Sequence, residues 1–222
     1  MHIVDTIQMR FFLKTSDFKK IKKNVHGTLH EYGGTFRIND SNKTMILGQV
    51  NNGSYDGIKF ERGVVEFHTH PSTCKSNTEC TIGLLSPEDL FNIAIGKKYG
   101  VQRHLVFSEF GTWSISLTTL AARSIFRTEQ HTELYLTRLW TVFDELHRLF
   151  LTKRVSMNKY KLAWITEAKR RGFDIQLFPS TMEPYVDIVT DVLSKDELSG
   201  KTVAIRKIPD KYIHLLQRLA SK

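Results

Sequence analysis

The stretch Gly63-Val64-Val65-Glu66-Phe67-His68-Thr69-His70-Pro71 reads as a short strand that ends in reactive side chains. An apolar run leads into it, and alternate residues of a strand point to one face. His68 and His70 therefore share a side and can both reach one ion. Pro71 stops the strand immediately afterwards and frees the second imidazole from the sheet ladder. A carboxylate arriving from the next element would complete a three-ligand site. It would leave a fourth position open for water, as catalytic zinc requires. Glu66 shares that face, an acid beside apolar neighbours, and is a candidate base or a support for the ligands.

Upstream of this strand, Met9 to Lys14 reads as another short strand. Ser16 caps a helix from Asp17 toward Gly27 or Glu31, with Phe18, Ile21, Val25 and Leu29 on one face. Gly33-Gly34 breaks that helix. Thr35 to Ile38 and Thr44 to Val50 read as strands joined by the turn residues Asn39-Asp40-Ser41-Asn42. Downstream, a polar loop from Ser72 to Leu85 leads to Ser86-Pro87-Glu88-Asp89. This opens a helix, with Ser at the cap, Pro in the first turn and acids beside the positive end of the dipole. Gly100 ends that helix after Tyr99, and Arg103 to Ser108 and Gly111 to Leu117 form two strands around a tight turn.

Residues 1–118 thus predict a mixed α+β domain whose central strand carries the histidines. The pattern then changes. Thr118 to Lys153 contains neither Pro nor Gly and shows Leu134, Leu139, Val142, Leu146 and Phe150 near helical spacing, so one long helix or two shorter ones are expected. Asn158 to Arg171 reads as a helix and Phe173 to Phe178 as a strand. Val186 to Leu193 is strand or helix, Thr202 to Ile208 is a strand candidate, and Pro209 opens a terminal helix through Leu219. Residues 119–222 are expected to form a mainly helical C-terminal extension.

With 222 residues, 41% hydrophobic and 11% aromatic, the chain can bury a core and is globular rather than disordered. Its apolar runs are far shorter than a membrane span, and Met1-His2-Ile3-Val4-Asp5 lacks the start of a signal peptide. The expectation is a soluble, intracellular protein, cytoplasmic or nuclear. Cys74 and Cys80 make no disulfide framework and fit no zinc-finger spacing, so they read as ordinary loop thiols. The net charge of +9 gathers at Lys19-Lys20 with Lys22-Lys23 and at Lys169-Arg170-Arg171. No nucleic-acid motif accompanies these clusters, which read as solvated helix faces, and a nucleic-acid partner is not expected.

Taken together, Glu31-Tyr32-Gly33-Gly34, His68-Thr69-His70-Pro71 and Ser86-Pro87-Glu88-Asp89 resemble the motif of the JAMM/MPN-plus metalloprotease family. That motif is a glutamate, then His-x-His-Pro, then Ser-x-x-Asp, and the likeness covers about residues 10–120. The resemblance implies the family's cytidine-deaminase-like layered fold, a mixed sheet flanked by helices. It also implies that His68, His70 and Asp89 bind Zn²⁺ with water in the fourth place. Glu31 would take the proton from that water and deliver it to the leaving amine, and Ser86 would hydrogen-bond the oxyanion. Here the interval from His70 to Ser86 is longer than the family's usual one, and the 72–85 loop is expected to act as a lid, a docking segment or a plug.

Each role also has a plain structural reading. Ser86 can simply cap the helix, Asp89 can complement its dipole, and Glu31 can be an exposed helix-end acid. His26, His30 and His104 have no spacing that implicates them and are expected on the surface or in packing. The resulting expectation is a zinc metallopeptidase cleaving an amide or isopeptide bond, with ubiquitin or ubiquitin-like conjugates as substrate. The alternative is an MPN-like scaffold subunit of a larger assembly with little or no activity.

Overall fold

Strand β4 (Val65–Thr69) is buried along its whole length in the computed structural model of the chain, which describes residues 8–26, 30–53, 63–71, 84–152, 156–190 and 210–221. On one side β4 pairs antiparallel with β2 (Tyr32–Asn39), which puts Gly33 opposite His68 and Thr35 opposite Glu66. On the other side it pairs parallel with β5 (Arg103–Ser108), where His104 is opposite Glu66 and Val106 opposite His68. Beyond β2 lie β3 (Thr44–Asn52), antiparallel to it, and then β1 (Gln8–Leu13), parallel to β3. Strand β8 (Tyr185–Val189) closes this edge antiparallel to β1, so the ambiguous segment from Val186 is a strand. With β6 (Gly111–Leu117) and β7 (Phe173–Phe178) the mixed sheet runs β7-β6-β5-β4-β2-β3-β1-β8, and the chain is α+β.

The residues divide into two compact units, each drawn from separate stretches of chain. One comprises residues 1–84, 101–114 and 177–206, the other residues 85–100, 115–176 and 207–222. In the first, the pleat of β4 separates two chemistries. Val65 and Phe67 enter an apolar cluster with Phe36, Tyr32, Leu105 and Phe107, covered by Phe18, Ile21 and Val25 of α1 (Thr15–His26). Phe67 lies 4.6 Å from Phe36 and 6.1 Å from Phe107, ring centre to ring centre. A ring buried this way contributes about 1.5–3 kcal/mol. Lys19, Lys20 and Lys23 of α1 are exposed, a solvated face opposite the apolar one.

The second unit holds α2 (Pro87–Lys98), α3 (Thr119–Ile125), α4 (Glu129–Leu151), α5 (Met157–Arg170) and α6 (Asp210–Ala220). Phe143 packs on Trp164 at 4.5 Å, with Tyr160 5.7 Å from the same indole. Two helices, not one, form between Thr119 and Leu151. Thr128 accepts from the His131 N–H and starts α4 afresh, a break that needs neither Pro nor Gly. Gly100 adopts φ +91° just after α2 and ends it as expected.

Gly33-Gly34 differs from its expected role, because the pair lies inside β2. A Cβ on Gly33 would stand 2.6 Å from the Phe67 carbonyl oxygen and 2.9 Å from His68 Cβ, so the missing side chain serves close strand approach. Cys74, Cys80, most of the 72–85 loop and the candidate strand from Thr202 to Ile208 lie outside the described residues.

Candidate metal centre

The face of β4 opposite the apolar cluster carries the polar residues. Three hydrogen bonds fix its end and the Glu31–Tyr32 peptide beside it. The His70 N–H donates to the Phe107 carbonyl at 2.8 Å, the Tyr32 N–H donates to Thr69 Oγ1 at 2.9 Å, and the Gly53 N–H donates to the Glu31 carbonyl at 2.7 Å. The last two hold the peptide between Glu31 and Tyr32 from both of its polar ends, and the Glu31 carboxylate is thereby set beside the end of the histidine strand. Glu31 Oε1 stands 3.8 Å from His70 Nε2.

The two imidazoles meet edge to edge, with His68 Nε2 2.8 Å from His70 Nε2. His70 Nδ1 lies 2.6 Å from the Leu84 carbonyl oxygen. A carbonyl only accepts, so Nδ1 carries the hydrogen and the neutral ring presents its Nε2 lone pair to His68. Such a lone pair, facing a second ring nitrogen at hydrogen-bond distance, needs a proton or a cation between them. Glu31, His68 and His70 each offer one ligand atom, all within 4.8 Å of one another, and together form a group that could hold a metal ion. Two imidazoles and a carboxylate are the donor types zinc accepts, so the residues present fit that ion.

The chain matches no family model, no curated protein and no solved structure.

Ser86 and Asp89 lie together in the second unit at the start of α2. Ser86 Oγ accepts from the Asp89 N–H at 3.2 Å, and Asp89 Oδ2 accepts from the Ser86 N–H at 2.7 Å. This is a reciprocal capping box with Pro87 in the first turn, the local structure that the spacing predicts. Tyr160 reaches the same region, its hydroxyl donating to the Leu85 carbonyl at 3.3 Å. Burial pushes the Tyr160 phenol well above its ordinary value, opposed by its contact with Trp164, and the nearby Asp89 charge adds to the rise.

One polar residue of the centre had no signal of its own in the sequence. His104, expected on the surface or in packing, is 4% exposed, and its Nε2 lies 2.7 Å from His68 Nδ1. Its Nδ1 lies 3.3 Å from Glu66 Oε2, and Glu66 is fully buried, with Oε1 accepting from the Gly63 N–H at 3.3 Å. The usable signal was the register: His104 is the one imidazole of a strand buried along its whole length, directly opposite the acid of the histidine strand.

Proposed function

We propose that the chain is a zinc-dependent metallopeptidase of the JAMM/MPN type, built on that family's layered fold. It hydrolyses an amide or isopeptide bond, and its substrates are ubiquitin or ubiquitin-like conjugates. The observation that carries this reading is the 2.8 Å approach of His68 Nε2 to His70 Nε2 beside the Glu31 carboxylate. When bound, zinc supplies a water of lowered pKa and polarises the scissile carbonyl.

The chain's own residues do the rest. His68 and His70 bind through Nε2, with the His70 ring held by the Leu84 carbonyl. The Glu31 carboxylate takes the proton of the attacking water and returns it to the leaving amine, a role typically worth about 10²–10⁴-fold. The family resemblance adds Asp89 as a third ligand and Ser86 as the oxyanion donor, the latter typically worth about 10²–10³-fold. Such conjugates occur inside cells, which gives the reading a cytoplasmic or nuclear setting. No helix among the described residues is long and apolar enough to cross a membrane.

The test combines metal analysis of the purified protein with cleavage of a diubiquitin panel. Stoichiometric zinc, turnover, and a Glu31→Gln variant that keeps the zinc but loses turnover are expected. Loss of zinc in Glu31→Gln makes Glu31 a ligand and not the base. Absence of zinc from the wild type, together with a His68→Ala variant that changes nothing, refutes the enzyme reading.

A further inference from the structure

Behind the two facing imidazoles runs a second line of buried polar groups, on the side of His68 away from His70. It passes from the Gly63 N–H to Glu66, from Glu66 to His104 at 3.3 Å, and from His104 to His68 at 2.7 Å. Three features set it apart from ordinary polar packing. Glu66 is fully buried and His104 nearly so, and groups of this kind are costly inside a protein unless each is partnered. The line is built by register: Glu66 and His104 are directly opposite in the parallel β4–β5 pair, and His68 is the next residue on the same face. It also ends on Nδ1 of His68, the nitrogen not used toward His70.

The direction of the hydrogen bonds follows from what each group can do. A carboxylate accepts, so His104 donates to Glu66 through Nδ1. In its neutral form an imidazole that donates through one nitrogen accepts through the other, so His104 Nε2 accepts from His68 Nδ1. His68 Nε2 then bears a lone pair. The Leu84 carbonyl imposes the same pattern on His70 from the opposite end. Each ring is therefore oriented by its own acceptor, a backbone carbonyl for His70 and a Glu–His pair for His68. Outer partners of this kind fix the tautomer and raise the basicity of a ligating histidine.

We infer that Glu66 and His104 are positioning residues of the metal centre. They hold His68 in the Nδ1–H tautomer and aim its Nε2 at the ion. This rests on the reading of His68 and His70 as metal ligands beside Glu31 and adds what prepares His68 for that role.

The experiment measures Zn²⁺ affinity by competition with a chromophoric chelator, on full-length wild type, His104→Leu and His104→Gln. Long-range ¹H–¹⁵N spectra of the Zn²⁺-loaded proteins report the tautomer of His68. His104→Leu is expected to bind Zn²⁺ about 10–100-fold more weakly, and His104→Gln, whose amide oxygen can again accept from Nδ1, to recover most of that loss. Wild-type His68 is expected to carry its hydrogen on Nδ1. A folded His104→Leu with wild-type affinity overturns the inference, as does a wild-type His68 with its hydrogen on Nε2. The second readout stands even where His104→Leu does not fold. Failure of the wild type to bind Zn²⁺ at all overturns the metal-site reading itself, whereas tight wild-type binding with no effect of His104→Leu overturns the positioning role alone.

Discussion

Replacing Gly33 by alanine is the sharpest test of how the sheet holds the histidines. Gly33 is opposite His68, and a methyl group there would lie 2.6 Å from the Phe67 carbonyl oxygen, 2.9 Å from His68 Cβ and 3.0 Å from His68 Cα. The nearest of these is backbone and falls about 0.8 Å short of ordinary contact, so β4 must move away from β2 rather than a flexible side chain turning aside. Overpacking of this kind costs about 1–3 kcal/mol. At about 2–4 °C per kcal/mol for a chain of this size, the thermal midpoint should fall by about 2–12 °C. A ligand shifted by more than about 0.5 Å no longer presents the productive geometry, so Zn²⁺ affinity should fall about 10–100-fold. Gly172→Ala is the control. Its methyl would press on Ala121 Cβ at 2.3 Å within the second unit, so it should lower the midpoint but leave affinity unchanged. Calorimetry and chelator competition on both variants decide the matter. A folded Gly33→Ala with wild-type Zn²⁺ affinity would refute the reasoning, and so would an equal loss of affinity in both variants.

Removing the metal should itself destabilise the protein: at a free Zn²⁺ concentration 100 times the Kd, binding contributes about 2.7 kcal/mol, so chelation should lower the midpoint by about 5–10 °C in a melting experiment. Ser86→Ala removes the acceptor for the Asp89 N–H and should cost about 0.5–2 kcal/mol in denaturant titration, while Ser86→Thr, which keeps a capping hydroxyl, should cost less. Tyr160 keeps its proton in the folded chain at pH values where an unfolded tyrosine has lost it, because burial raises its pKa. Its contribution is therefore complete below about pH 10 and declines above that, with a slope of at most about 1.4 kcal/mol per pH unit. Melts between pH 8 and 11 should show the decline, and Tyr160→Phe should flatten it.

The parts of this molecule that sequence made legible are those whose causes are local. Ser86-Pro87-Glu88-Asp89 contains its own cap, and alternation in Val65–Thr69 contains its own division into faces. Thr128 was also a local signal, but the apolar spacing on either side of it reads through the break, and only the cap geometry divides α3 from α4. Gly33-Gly34 was ambiguous for a deeper reason. A missing Cβ serves backbone freedom and close approach equally well, and only the partner strand tells which is in use. Glu31 was legible by its place in a motif, yet nothing near it in sequence says that Thr69 and Gly53 tie the backbone around it. The role of His104 was out of reach for the same reason. It depends on a parallel pairing with residues more than thirty positions away, and spacing within its own strand carries no trace of that.

That pairing links the stability of the first unit to its chemistry. Leu105 and Phe107 of β5 lie in the apolar cluster with Val65 and Phe67 of β4, so His104 must face the other way, toward Glu66 and His68. Slipping β5 by one residue would send Leu105 and Phe107 out of the cluster and His104 into it. Burial of the two apolar side chains, about 1.5–3 kcal/mol each, opposes that slip. Putting an imidazole in their place without a partner would add a further cost of about 1–3 kcal/mol. The polar line from Glu66 to His68 therefore does not have to hold itself together. Its geometry is imposed by the hydrophobic face behind it, so the buried acid of β4 and the buried imidazole of β5 are kept facing each other.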